Sequence, residues 1–223
     1  MATHFKRITI ISYSLFLIVT SSLITVLCYH LFVFNTFSTD DSQTQAFREV
    51  SAEQISNSPI KEERSIIEVM SYGCHYCAAN EENLAEFSRS LPPGSTFTSI
   101  HIASDSNGLA QYAPIFATLE EMGIEKNIRD SAYNTIITRN VNLTEQKALD
   151  AWLAKNNIDS AKFNAVRQSA AVKERLSYMA AITDHYAINA TPMFIINKRY
   201  VVAQDSEFPQ FAQRMLQLLK QDK

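Results

Sequence analysis

Cys74 and Cys77 stand where a short apolar run gives way to a stretch of helical spacing. Residues 65–71 hold Ile66, Ile67, Val69 and Met70, a nearly continuous run that suits a strand buried on both faces. Beyond Cys77, Leu84, Phe87 and Leu91 recur at helical intervals, and Pro92-Pro93-Gly94 ends the pattern. The two sulfurs therefore open a helix directly after a strand. A thiolate there faces unpaired backbone N–H groups and the positive end of the helix dipole, which lower its pKa and stabilise the reduced form. A pair whose reduced form is stabilised acts as an oxidant. Half of a zinc site is the other reading of C-x-x-C, and it requires two further ligands. The third cysteine, Cys28, lies in an apolar N-terminal run, and His4, His30, His101 and His185 show no ligand spacing among themselves. The strand-then-helix context favours redox chemistry over zinc.

The chain has 223 residues, of which 46% are hydrophobic and 19% charged, as expected of one globular domain with room for an insertion. Its net charge of -3 supplies no basic patch for nucleic acid, and none is expected as a partner. No charged residue falls within residues 8–34, a run longer than the ~20 residues of a membrane-spanning helix. It reads as an uncleaved N-terminal anchor in the inner membrane. The alternative is a secretory signal cut near Thr20-Ser21-Ser22, which leaves a soluble exported protein. Lys6 and Arg7 precede the run and Asp40 and Asp41 follow it, so the positive-inside rule exports everything after Phe34. Cys28 within the run reads as a small buried hydrophobe.

Residues 35–46 are polar and read as a flexible linker, and the folded part begins near Phe47. Residues 96–103 alternate as a second strand, closing a first part, residues 47–108. Residues 109–188 carry helical stripes only. Leu109, Tyr112, Phe116 and Leu119 form one, closed by Gly123 at a helix C-terminus. Ile128, Ala132 and Ile136 mark a second, and Thr144 caps a third with Leu149 and Trp152. Val172, Leu176, Met179 and Thr183 mark a longer one. Within residues 189–223, segments 193–197 and 199–203 read as a hairpin turning at Asn197-Lys198. A last helix carries Phe208, Phe211, Met215 and Leu218.

That order, with the dithiol at the first helix and a helical block before Thr191-Pro192, resembles the DsbA family of bacterial thiol:disulfide oxidoreductases. The likeness runs from Phe47 to about Leu219 and rests on IIEVMSYGCHYC, LPPGSTFTSIHI and ATPMFIINKRYVV. It implies an α/β thioredoxin fold with an inserted all-helical domain and a periplasmic role in disulfide exchange. The resemblance makes Cys74 the accessible reactive cysteine and Cys77 its more buried partner. It places Thr191 and Pro192 in a cis-proline loop that binds extended substrates, and Glu68 where the family carries a buried acid. Without it, Glu68 reads equally as a strand residue with its side chain in water. Buried, its carboxylate has a raised pKa and can exchange a proton with a thiol.

Two departures bear on the chemistry. His75-Tyr76 replaces the family's Pro-His between the cysteines, so His75 reads either as a cation that lowers the Cys74 pKa or as a solvent-facing ring. Thr191 stands where valine is familiar. Both can move the redox potential, and so can Tyr76. The expected partners are reduced or unfolded exported proteins and a DsbB-like membrane quinone reductase that reoxidises the pair. No cofactor or metal is expected, and the expected state is a monomer. A membrane-tethered reductase or isomerase, or a non-enzymatic assembly chaperone, are the competing readings.

Overall fold

The computed structural model describes residues 13, 15–27, 47–104 and 108–221. Met1–Gln43 and Thr44–Lys223 form separate compact units. In the first, residues 15–27 are helical. Among the described residues no helix is long and apolar enough to cross a membrane. The expected span over residues 8–34 continues beyond the described residues at both ends, and Cys28 and the linker 35–46 lie outside them.

The second unit is built on a mixed sheet, which among the described residues has five strands in the order β1-β5-β4-β2-β3. These are β1 (Phe47–Glu49), β2 (Ser65–Met70), β3 (Thr96–His101), β4 (Met193–Ile196) and β5 (Tyr200–Ala203). Strand β2 runs parallel to β3 and antiparallel to β4. Every residue of β2 is buried, as its nearly continuous apolar run suggests, and Ser65 and Glu68 are buried with the rest. Alternation sends Ile66 to a cluster with Leu84, Phe87, Phe211 and Met215, while Ile67 and Val69 enter the larger core beneath the inserted helices.

Helix α1 (Ala52–Ser56) follows β1, and α2 (His75–Arg89) follows β2. Helices α3 (Ala113–Glu121), α4 (Glu125–Tyr133), α5 (Gln146–Lys155), α6 (Ser160–Arg167) and α7 (Ala170–His185) form the block between β3 and β4, and α8 (Phe208–Lys220) closes the chain. This is a thioredoxin-type fold with inserted helices, the expected α/β class. Gly123 sits just past α3 at φ +70, the left-handed position that favours glycine.

Several local expectations are corrected. The edge strand β1 and the short helix α1 carry no strong periodicity and were not expected. The first inserted stripe begins as a 3-10 turn, Gly108–Tyr112, and the second continues from α4 into a π turn, Asn134–Thr138. Thr144 does not cap α5. Its N–H and hydroxyl both donate to Asn142 Oδ1, at 3.0 and 2.7 Å, so a local turn takes the hydroxyl instead. The N-cap of α5 is Glu145, without a side-chain bond. Helix α6 fell between the expected stripes. Its Asp159 side chain caps Lys162 N.

Candidate active site

Cys74 is the N-cap of α2, and its Sγ accepts the Cys77 N–H at 3.1 Å. The two cysteines are joined in a disulfide with Cα atoms 5.3 Å apart. Cys77 has no exposure and Cys74 retains 6%, so the outward sulfur belongs to Cys74 but only narrowly. The carbonyl oxygen of Thr191 lies 3.4 Å from Cys74 Sγ, and the Thr191-Pro192 bond is cis. A disulfide sulfur has no proton to offer that oxygen, whereas a Cys74 thiol does. The loop before β4 thus lies against the first sulfur, bringing together Cys74, Cys77 and Thr191 from segments distant in sequence.

His75 and Tyr76 occupy the first turn of α2 and point outward, Tyr76 being 75% exposed. Asn80 Nδ2 donates to the Tyr76 carbonyl at 3.1 Å and to Gln204 Oε1 at 2.6 Å, tying this turn to the chain beyond β5.

The turn from β2 into α2 is held by groups outside the C-x-x-C motif. Ser71 accepts the Cys74 N–H through its carbonyl at 3.0 Å and the Gly73 N–H through its hydroxyl at 3.2 Å. That hydroxyl donates to the Leu109 carbonyl at 2.9 Å. The Tyr72 N–H donates to His101 Nε2 at 3.1 Å, and the Tyr72 hydroxyl donates to Glu125 Oε1 at 2.8 Å. His101 is fully buried, and desolvation pushes its pKa down to about 4, against the help of the Ile102 carbonyl.

Glu68 is buried as the resemblance implied, at 1% exposure, on the face of β2 covered by α2. Burial pushes its pKa up to about 7, although the Ser99 hydrogen bond and the Arg129 charge oppose the shift. Ser99 Oγ donates to Glu68 Oε2 at 2.7 Å. Arg129, itself 6% exposed, forks onto Glu125, reaches Glu81 of α2 at 3.0 Å and donates to Ser99 Oγ at 3.3 Å.

Tyr72, Glu125 and Arg129 were not singled out from the sequence, and His101 was weighed only as a zinc ligand. One signal was present. From Ala132, which is in the stripe of Ile128 and Ile136, helical steps of three and then four residues back reach Arg129 and Glu125 and put both on that side of α4. Among the described residues no group of three His, Cys, Asp or Glu side chains is placed to hold a metal ion.

A disulfide capping the helix after β2 and a helical block before the loop that touches its first sulfur together define a thioredoxin-like redox domain. The family model of the DSBA-like thioredoxin domain matches residues 65–216. The chain belongs to that family. It is 24% identical over 138 residues to the thiol:disulfide interchange protein DsbA of Bordetella pertussis, covering 62% of this chain and 65% of the relative. The DsbA of Pseudomonas aeruginosa is 24% identical over 136 residues, covering 60% and 64%. The match thus spans a little under two thirds of the length of these relatives.

Solved structures share the fold. A crystal structure of Pseudomonas aeruginosa DsbA superposes with a TM-score of 0.61 at 23% identity, covering 71% of this chain and 81% of that one. The oxidoreductase DsbA of Xylella fastidiosa gives 0.64 at 18%, covering 78% and 92%.

Proposed function

We propose that the chain introduces disulfide bonds into exported proteins through Cys74 and Cys77. The observation that carries this reading is the disulfide at the N-terminus of α2, with its Cys74 sulfur beside the Thr191 carbonyl. Membership of a family whose relatives are called thiol:disulfide interchange proteins supports it.

A substrate thiolate attacks Cys74 Sγ, the S–S bond breaks, and Cys77 leaves with the electron pair. In this reading Glu68, a buried acid with its pKa raised to about 7, is the source of the proton that the departing sulfur takes up. A second substrate thiolate then attacks the substrate sulfur of the mixed disulfide and expels Cys74. Two substrate thiolates have become a disulfide, and the enzyme holds both electrons as the Cys77 thiol and the Cys74 thiolate. The N–H groups at the start of α2 stabilise Cys74 as leaving thiolate, and a more acidic thiol leaves faster. The Thr191-Pro192 loop presents backbone to an extended substrate, and the exposed His75 and Tyr76 border the sulfur that it meets.

The place of action in this reading is the bacterial periplasm, where a DsbB-like quinone reductase restores the disulfide. Residues 8–34 hold the domain at the inner membrane. Supporting the anchor are the uncharged run itself and the outward apolar side chains of its helical part, with Leu15, Phe16 and Ile18 exposed by 63, 63 and 67%. Membrane fractionation of the full chain after alkaline extraction tests this; release into the supernatant favours the cleaved, soluble form.

The direction of exchange is tested by equilibrating the Cys74–Cys77 pair against glutathione buffers. A potential near the ~-120 mV of DsbA-type oxidants is expected, and one near the ~-270 mV of thioredoxin makes the chain a reductase instead.

A further inference from the structure

Arg129 is a buried cation on the inserted block, and nothing in the exchange chemistry yet uses it. Desolvating a guanidinium is costly unless close partners compensate. Here Arg129 Nε and Nη2 grip Glu125 at 2.9 and 2.7 Å, and Nη1 reaches Glu81 at 3.0 Å and the Ser99 hydroxyl at 3.3 Å. Because Arg129 only donates, Ser99 Oγ must accept from it and turn its own proton to Glu68 Oε2, 2.7 Å away. Guanidinium, hydroxyl and carboxylate therefore form a directed chain from α4, across β3, to the acid on β2.

Charge counting gives this chain a consequence. The ionisable groups that bear most strongly on Glu68 are one guanidinium, Arg129, and two carboxylates, Glu81 of α2 and Glu125 of α4. Tyr133 on α4 also feels the Glu68 charge, and burial keeps that phenol neutral. Glu125 and Glu81 both touch the cation, and Glu68 meets it only through Ser99. Of the three acids, Glu68 is the one without a direct contact to the cation. Ser99 and Arg129 also line a cavity of about 400 Å³ with Glu81 and Lys126, which brings this chain to the protein surface.

We propose that Arg129, gripped by Glu125, is a positioning residue for the exchange reaction: through the Ser99 hydroxyl it sets how tightly Glu68 holds its proton beneath the dithiol helix. The inserted block then tunes the proton donor as well as packing against the sheet. The role in exchange rests on the oxidoreductase reading. The coupling of Arg129 to Glu68 does not.

The test is to follow the Glu68 carboxyl carbon by NMR against pH in the oxidised full chain, with Glu68→Gln used to assign its signal. Arg129→Met removes the favourable charge and should tighten proton binding at Glu68 about tenfold. Glu125→Gln removes a like charge, keeps an acceptor for Tyr72, and should loosen it. Arg129→Lys keeps the charge without the fork and should restore part of the wild-type affinity. The double variant Arg129→Met, Glu125→Gln removes equal and opposite charges, leaves no lone buried ion from the pair, and should titrate between the two single variants. Shifts of opposite sign support the coupling, since simple loosening of the fold moves both variants the same way. Shifts of one sign, or none, overturn it. In parallel, the pH profile of disulfide exchange should move with the carboxyl titration. A carboxyl that moves while the exchange profile stays fixed overturns the positioning role and leaves the oxidoreductase reading standing. Absence of exchange by the wild-type protein instead overturns that reading, while the titration still decides the coupling.

Discussion

The Tyr72 N–H, two residues ahead of the reactive cysteine, donates to Nε2 of His101 at 3.1 Å. A backbone N–H only donates, so Nε2 carries no proton. The Ile102 carbonyl only accepts, so Nδ1, 2.7 Å from it, carries one. The ring is therefore neutral and in one tautomer. His101→Phe leaves both backbone groups unpaired in the core and is expected to cost about 2–4 kcal/mol in denaturant unfolding. The pH dependence follows from the lowered pKa. Above about 6.5 both native and unfolded states leave the ring neutral, and the stability from this group is complete. As pH falls toward 4 the unfolded chain takes up a proton that the native state refuses, so stability declines by on the order of 3 kcal/mol and levels off below about 4. The variant should lack that decline.

Glu68 is expected to give a slope of the opposite sign. Its pKa rises from 4.5 to about 7 on folding, so over that range the native state holds a proton that the unfolded chain has released. Its stability contribution is complete below about 4.5 and is lost as pH rises through 7. Glu68→Gln should remove the slope and, above pH 7, stabilise the protein by roughly 2–3 kcal/mol. Unfolding curves across pH for the wild type and the two variants separate the His101 and Glu68 contributions, which oppose one another between about 4.5 and 6.5.

Cys77→Ser removes the leaving sulfur and leaves Cys74 as a free thiol. Presented with an oxidised peptide, this variant should accumulate a mixed disulfide through Cys74, visible by intact mass. Cys74→Ser should form little adduct, because Cys77 has no exposed surface. Equal labelling of both variants would contradict the assignment of Cys74 as the attacked sulfur.

Asn197 opens the β4–β5 turn at φ 52, and its Nδ2 donates to the carbonyls of Leu218 and Leu219 at the end of α8, at 3.3 and 3.1 Å. Asn197→Ala loses the conformation and the bonds together and should cost about 2–3 kcal/mol in denaturant unfolding. Asn197→Gly should recover about 1 kcal/mol of that, since glycine accepts the positive φ but supplies no amide.

The sequence made some of these positions plain and concealed others, for physical reasons. Strand β2 and the start of α2 were legible because a change of hydrophobic period coincides with the cysteines. The Asn197-Lys198 turn was legible because both strands around it are apolar. Strand β1 was not, since Phe47, Arg48 and Glu49 are held by backbone pairing to Val202, Val201 and Tyr200, which leaves no side-chain pattern. Thr144 misled because a hydroxyl serves a cap and a local turn equally well. Glu125 and Arg129, four residues apart on a helix, look like a solvated surface pair. Only the tertiary neighbours that bring Tyr72, Glu81 and Ser99 to them make them a buried one. Glu68 stood out as a lone charge in a buried strand, but its partners come from β3 and α4, whose approach no local spacing encodes.

The strand–turn–helix that carries the disulfide touches Leu109, Glu125 and Arg129 of the inserted block and the Thr191 carbonyl before β4. Grafting residues 65–89 onto a related scaffold would transplant the sulfurs without their surroundings. The chemistry of this pair therefore draws on more than the segment that carries it, and a chimera's potential should depend on which parent supplies residues 109–133 and 191 as well as on its His75-Tyr76 pair.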